Sequence, residues 1–278
     1  RVVGMALQVR IDLERDVDDG LSMPWVYVST LGLVFVLAGA LADESLRPWL
    51  WLVALALDLA ASAAASGNAT WDISPGHFSE RHGLFVIIAL GESLIVAASA
   101  VAEEERTADL VLAAGASLAV ACLLWWTYFG WLKEAMEERF ASGRAGAFGT
   151  VARDAYSLTH FPLVCGIVGF AVAVEEIVLH PERPAEGPVI ASLVVGIALF
   201  VGATTLAYWR TTRHLLVSRL VIVAVTLVVV VLLRDADPVW PLAAVALGLL
   251  AVIVVEELRD RRRAAEHDAA LAAVPAGT

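Results

Sequence analysis

The chain has 278 residues, of which 59% are hydrophobic and 18% are charged, and its mean hydropathy is +0.76. Soluble domains carry about 45–50% apolar and about 25% charged residues, so this composition argues against a soluble globular protein. The net charge of −11, without a basic stripe along any predicted helix, argues against a nucleic-acid partner.

The hydrophobic residues fall into eight blocks, each close to the ~20 residues with which a helix crosses the hydrocarbon core of a bilayer. The sequence therefore predicts an all-α, polytopic integral membrane protein with about eight transmembrane helices in one bundle. A large soluble helical core is the alternative, but it requires polar faces at helical spacing, which Leu215–Leu233 lacks. The predicted spans are Pro24–Ala42, Trp49–Ser66, Gly83–Ala102, Asp109–Leu132, Ser157–Leu179, Gly187–Trp209, Leu215–Leu233 and Val239–Val255.

Three regions follow from this pattern. Residues 1–22 alternate apolar and charged side chains and are predicted to be a cytoplasmic juxtamembrane segment that continues from a part upstream. Residues 23–256 form the predicted transmembrane domain, in which Lys133–Tyr156 is the longest loop and the last two spans, almost free of polar groups, are scaffold or lipid-facing. Residues 257–278 are a charged, then Ala-rich, cytoplasmic tail that is expected to fray.

The positively charged residues indicate the orientation of the predicted spans. With eight spans, 15 of the 19 Lys and Arg residues lie on the side of the two termini. The other four, Arg47, Arg106, Arg183 and Arg234, lie on the opposite side. Loops rich in Lys and Arg stay in the cytoplasm, so the sequence predicts a bacterial inner-membrane protein with both termini cytoplasmic.

Two carboxylates lie at the centres of predicted spans. Glu92 is nine residues beyond Gly83, or about 14 Å at 1.5 Å per residue, and Asp58 reaches a similar depth from the other face. Carboxylates at this depth are costly and are functional candidates by default, although a protonated clamp between helices is the structural alternative. We expect Glu92 to face the helix bundle, protonated, with Gly91 and Ser93 allowing close helix packing.

A polar cluster precedes the third span on its cytoplasmic side and consists of His77, Glu80, Arg81 and His82. His160, near the start of the fifth span, is predicted to lie at the same end, within reach of the cluster. Three such donors could hold a metal ion, but the pattern lacks the helical spacing of a zinc protease. We favour a polar helix cap without a metal, and no motif indicates another cofactor.

The residues from His77 to Ala97, HFSERHGLFVIIALGESLIVA, resemble a signature of the bacterial low-temperature-requirement A (LtrA) family. The segment from Tyr156 through His160-Phe161-Pro162-Leu163 to Val168 is similar to the second signature of that family. The family's usual first segment, with a Phe-Asp-Leu-Val-Phe type of motif, has no match here. The resemblance implies a polytopic bacterial membrane protein and supplies no catalytic residues.

Three functional classes remain open at this point. A proton- or cation-coupled transporter of a small ion or molecule would use Glu92, Asp58, Ser93 and His160. An intramembrane enzyme at the cytoplasmic face would use the histidines and Glu80 as acid–base groups or ligands. A non-catalytic membrane stress or assembly protein would need neither. The lipid bilayer is the partner common to all three, and the sequence does not indicate an oligomeric state.

Overall fold

A computed structural model of the chain describes residue 10 and residues 22–64, 74–103, 107–142 and 148–272. Within these ranges, all regular structure is helical. The helices are α1 (Ser22–Leu41), α2 (Arg47–Ala64), α3 (Pro75–Glu103), α4 (Ala108–Phe129), α5 (Leu132–Ala141), α6 (Phe148–Val151), a π-helical turn (Ala152–Ser157), α7 (Leu158–Leu179), α8 (Gly187–Thr212), α9 (Val217–Leu232) and α10 (Val239–Ala272).

Each of the eight apolar blocks forms a helix, namely α1 to α4 and α7 to α10. Among the described residues, five helical stretches are long and apolar enough to cross a membrane: Pro75–Ser99, Ala108–Ala141, Gly149–Leu179, Gly187–Thr212 and Val239–Arg262. Val26–Leu41 and Val217–Leu232 are shorter apolar helices. The prediction of an all-α polytopic membrane protein is therefore confirmed, whereas the number of eight spans stays a prediction.

Two segments contain more helix than the sequence indicated. Within the predicted loop after α4, α5 buries Leu132, Met136 and Phe140. These residues recur every four positions and so share one face of the helix. The last helix continues to Ala272, so the predicted boundary between residues 256 and 257 lies within it, and the tail is helical up to that residue.

The described residues divide into two compact units. The first contains α1, α2, α6 and the π-helical turn. Its α1 and α2 form a helical hairpin in which Trp51 Nε1 donates a hydrogen bond to the Val36 carbonyl at 3.3 Å. A Cβ atom added to Gly32 would lie 2.9 Å from Asp58 Oδ1, so this glycine brings the carboxylate of α2 close to the backbone of α1.

The second unit contains α3 from Gly76, α4, α5, α7 from Thr159, and α8 to α10. Its α7 and α8 cross with their backbones in contact, because a Cβ atom on Gly166 would lie 2.6 Å from the Gly196 carbonyl oxygen. A Cβ atom on Gly248 of α10 would likewise overlap the Thr226 side chain of α9. Small residues at such crossings allow close packing of membrane helices.

Candidate functional site

Three side chains from different helices of the second unit form a histidine cluster: His82 of α3, Tyr128 of α4 and His160 of α7. The Tyr128 hydroxyl and His160 Nε2 share a hydrogen bond of 2.7 Å. The rings of His82 and His160 meet edge to face, with centroids 5.0 Å apart. Tyr128 and His160 are buried, with 1% and 4% of their surface exposed. His160, which the sequence placed within reach of the polar cluster, thus contacts one residue of that cluster, His82.

Backbone geometry fixes the hydrogen position on His82. Its Nδ1 lies 2.9 Å from the Phe78 carbonyl oxygen, one turn earlier in α3. A carbonyl only accepts, so Nδ1 donates, and in the neutral ring Nε2 is left as the acceptor. The Phe78 ring packs on His82 at a centroid distance of 4.5 Å and on Phe140 of α5 at 6.3 Å. The half-buried His82 ring is thus held against its own helix.

The other residues of the predicted cytoplasmic cluster differ from His160 in burial. His77, Glu80 and Arg81 are exposed on α3. Among the described residues, no three His, Cys, Asp or Glu side chains are close enough together to hold a metal ion. The metal hypothesis for His77, Glu80 and His82 therefore lacks the necessary geometry.

The predicted orientation of Glu92 is wrong. Its side chain is exposed, whereas the neighbouring Ser93 is buried and donates a hydrogen bond to the Leu90 carbonyl at 2.7 Å. A Cβ atom added to Gly91 would meet nothing within 4 Å, so the expected close helix approach is also absent there. Asp58 belongs to the first unit and is half-buried. Its pairing with Glu92 stays a prediction.

A buried ion pair, which the sequence analysis did not anticipate, joins α9 to α10. Arg219 Nε donates to Glu256 Oε1 at 2.8 Å, and Arg219 Nη2 donates to Glu256 Oε2 at 2.7 Å. Arg219 is 1% exposed and Glu256 is 5% exposed. A buried pair with this two-point geometry needs further hydrogen bonds to offset the loss of water.

Neighbouring helices provide those hydrogen bonds. Trp131 Nε1 donates to Glu256 Oε2 at 2.9 Å. Arg219 also donates to the Thr127 carbonyl at 3.1 Å and to Thr204 Oγ1 at 3.4 Å. We refer to these five residues as the ion-pair cluster. It corrects the expectation that the last two spans are scaffold or lipid-facing, since α9 and α10 contribute the buried charged side chains of Arg219 and Glu256.

The two clusters share the C-terminal part of α4. Thr127 and Tyr128 are adjacent and both buried. The carbonyl of Thr127 accepts from Arg219, while the hydroxyl of Tyr128 bonds to His160. A displacement of this part of α4 would therefore change both sets of hydrogen bonds.

An open groove of about 740 Å³ runs along α3 and α5. Its lining includes Gly83 and Phe129, which directly follow His82 and Tyr128 in the sequence. Glu80 lines it as well, and Lys133 donates to Glu137 there at 2.8 Å. The groove is thus lined by charged side chains of both helices.

Comparisons with known proteins place the chain in a family without assigning a reaction. The chain is 30% identical over 164 residues to the uncharacterized protein RA0937 of Rhizobium meliloti (strain 1021), an alignment that covers 55% of this chain and 39% of that protein. The chain thus spans well under half the length of this curated relative. No solved structure matches. The family model for the bacterial low temperature requirement A protein matches residues 2–255. The chain therefore belongs to the LtrA family of bacterial membrane proteins.

Proposed function

We propose that this protein is a proton-coupled transporter of a small ion or molecule, and that the histidine cluster carries the proton. The observation that supports this most directly is the buried hydrogen bond between Tyr128 and His160, with the His82 ring beside it. The proton-carrying groups are then the histidines and not the mid-span carboxylates, because the Glu92 side chain is exposed.

The chemistry of the cluster suits proton transfer. Imidazole is the side chain whose ordinary pKa allows a change of charge between about pH 5 and 8. Neutral His160 can accept a hydrogen bond from Tyr128 at Nε2, and protonated His160 can donate to the same oxygen, since a phenol both donates and accepts. The 2.7 Å contact can therefore persist in both charge states. His82 provides a second imidazole, whose ring contacts the His160 ring.

The location of the cluster also supports a transport function. Ionisable groups within membrane helices are costly and typically mark paths of ions or substrates. We infer that protons approach from one end, through the groove along α3 and α5, whose lining carries charged residues. We place this end at the cytoplasmic face of the bacterial inner membrane, with both termini on the same side, because 15 of the 19 basic residues gather there.

The geometry supports the two other functional classes less well. An enzyme built on His77, Glu80, His82 and His160 would need these groups to converge on one site, but His77 and Glu80 are exposed whereas His160 is buried. A purely structural protein has no need for two titratable rings in contact within its interior, where an apolar pair would pack at lower cost.

Transport by purified protein in liposomes tests the proposal. Vesicles loaded with a pH-sensitive dye receive monovalent cations, divalent cations and small organic solutes in turn, and the internal pH is recorded. We expect at least one solute to move protons with the wild-type protein and not with His160→Gln. His180→Gln, which alters a half-exposed histidine in the turn after α7, is the matched control and should behave as wild type. Equal proton movement with His160→Gln would contradict the proposal, as would the absence of movement with every solute.

A further inference from the structure

A separate cavity of about 300 Å³ lies next to the ion-pair cluster. Trp131 and Tyr208 form an aromatic wall, with their rings edge to face and their centroids 5.4 Å apart. Leu215 and Leu216 line the cavity where the chain turns from α8 into α9. A lining that combines polar, aromatic and apolar groups fits a ligand that is itself amphipathic.

The charged groups of this cavity are of both signs. The carboxylate of Glu256 already accepts three hydrogen bonds, from Arg219 and Trp131, so its charge is offset within the protein. The charged or titratable groups at the rim are Arg259, His214 and Asp260, all exposed. Arg259 Nη1 donates to Ser218 Oγ at 2.6 Å, which leaves other N–H groups of the guanidinium available. A ligand with a positive and a negative group matches this rim better than a simple anion or cation.

The surrounding residues place the cavity at the level of the lipid headgroups. The apolar run of α10 ends at Val255, just before Arg259 and Asp260. At the end of α8, the Arg210 and Arg213 guanidinium groups lie 5.9 and 5.6 Å from the centroid of the Trp209 ring. Tryptophan and arginine are typical of the membrane–water interface. Phospholipids are the amphipathic molecules present at this depth.

We propose that the cavity binds the headgroup of a zwitterionic phospholipid with a primary ammonium group. The phosphate lies on Arg259 and His214. The ammonium group donates to the Asp260 carboxylate, whose two oxygens have about four acceptor positions and so accommodate it beside an existing partner, and it lies near the faces of Trp131 and Tyr208. The acyl chains leave along Leu215. This inference depends on the membrane location of the chain and is independent of proton coupling.

Retention of defined lipids by the purified, delipidated protein tests this site. The probes are phosphatidylethanolamine, phosphatidylcholine and phosphatidylglycerol with identical acyl chains, and bound lipid is counted by native mass spectrometry. Phosphatidylcholine has the same net charge as phosphatidylethanolamine, but its methylated nitrogen cannot donate a hydrogen bond. Phosphatidylglycerol has a net negative charge and no ammonium group. The three probes therefore separate hydrogen bonding by the ammonium group from overall charge.

We expect wild-type protein to retain phosphatidylethanolamine about tenfold better than the other two lipids, the effect of a hydrogen bond between charged groups. Asp260→Asn should reduce this preference, and Arg259→Gln should weaken retention of phosphatidylethanolamine. Arg262→Gln, an exposed position on the same helix outside the cavity, is the matched control and should match wild type. Circular dichroism verifies that each variant is folded. Equal retention of all three lipids, a preference for phosphatidylglycerol, or equal effects of Arg259→Gln and Arg262→Gln would overturn the proposal.

Discussion

Arg219 of α9 and Glu256 of α10 form a two-point ion pair, with N–O distances of 2.8 and 2.7 Å, although both side chains are almost completely buried. In α4, Thr127 contributes a carbonyl to the pair, and in α8, Thr204 contributes a hydroxyl. The turn after α4 contributes the indole N–H of Trp131. Its charges are thus satisfied by four helices at once, so the pair fixes the register in which these helices pack.

Arg219→Gln should destabilise the protein strongly. The substitution leaves the Glu256 carboxylate buried without its cation, which typically costs about 3–5 kcal/mol. The midpoint of thermal unfolding in detergent measures the effect. Arg261→Gln is the matched control. It breaks an exposed ion pair with Glu257 within α10, so its effect on the midpoint should be close to zero. An unchanged midpoint for Arg219→Gln would show that the pair does not hold the helices together.

The double variant Arg219→Leu with Glu256→Leu should be more stable than either single variant. It removes both charges together, so neither is left unpaired in the interior. The same unfolding midpoint provides the measurement. Additive losses from the two single changes would contradict a direct interaction between the residues.

Gly196→Ala should destabilise the crossing of α7 and α8. The added Cβ atom would lie 2.7 Å from the Phe170 backbone nitrogen, so one backbone must move, at a cost of about 1–3 kcal/mol. Gly202→Ala on the same helix is the control, since its Cβ atom meets nothing within 4 Å and alanine favours helix. Denaturant unfolding monitored by circular dichroism compares the two. Equal stabilities would mean that the helices do not cross at Gly196.

Glu92→Gln should leave both stability and growth at low temperature unchanged, whereas His160→Gln should abolish growth. The Glu92 side chain is exposed and makes no hydrogen bond or ion pair with the described residues, so the amide loses no contact. Complementation of a deletion strain, with protein levels compared by immunoblot, provides the measurement. Loss of growth with Glu92→Gln at normal protein level would indicate that the Glu92 carboxylate, and not the histidine cluster, carries the proton.

The contrast between Glu92 and Ser93 illustrates what sequence can predict in a membrane helix. The length of the apolar run indicates how far along the helix Glu92 lies, because each residue advances the chain by about 1.5 Å. It does not indicate the rotation of the helix, since the residues three and four positions before and after Glu92 are all apolar. The contacts of α3 determine that Ser93, and not Glu92, is buried. By contrast, His82 and His160 lie at the same ends of their spans, and their contact was predictable from the order of the helices.

Arg219 and Glu256 escaped prediction for a different reason. Each lies at the edge of an apolar run, where charged side chains usually reach solvent. Their 37-residue separation has no local signature, and only the packing of α9 against α10 brings them together. For α5, by contrast, the sequence does contain a signal for a helix with one buried face, namely the four-residue spacing of Leu132, Met136 and Phe140.

Labelling of single cysteines tests the predicted orientation. In a variant without Cys122 and Cys165, cysteine at Ser142 should react only after the membrane is permeabilised, and cysteine at Asp235 should react in intact cells. The reason is that basic residues concentrate on the side of Ser142. Both positions lie in exposed segments outside the predicted spans. Reaction of both from the same side would contradict the eight-span topology.

The most direct test of the central claim is the protonation state of His160 itself. Nitrogen chemical shifts of labelled histidine rings distinguish neutral from charged imidazole, and His160→Gln and His82→Gln identify the two signals among the six histidines. We predict that the His160 ring occurs in both the neutral and the charged form across the pH range in which the protein moves protons in liposomes. We also predict that the balance of the two forms changes in Tyr128→Phe, which removes the hydroxyl at 2.7 Å, but not in His180→Gln. A His160 ring that keeps one form throughout that range would contradict the account, because a group whose charge never changes cannot carry a proton.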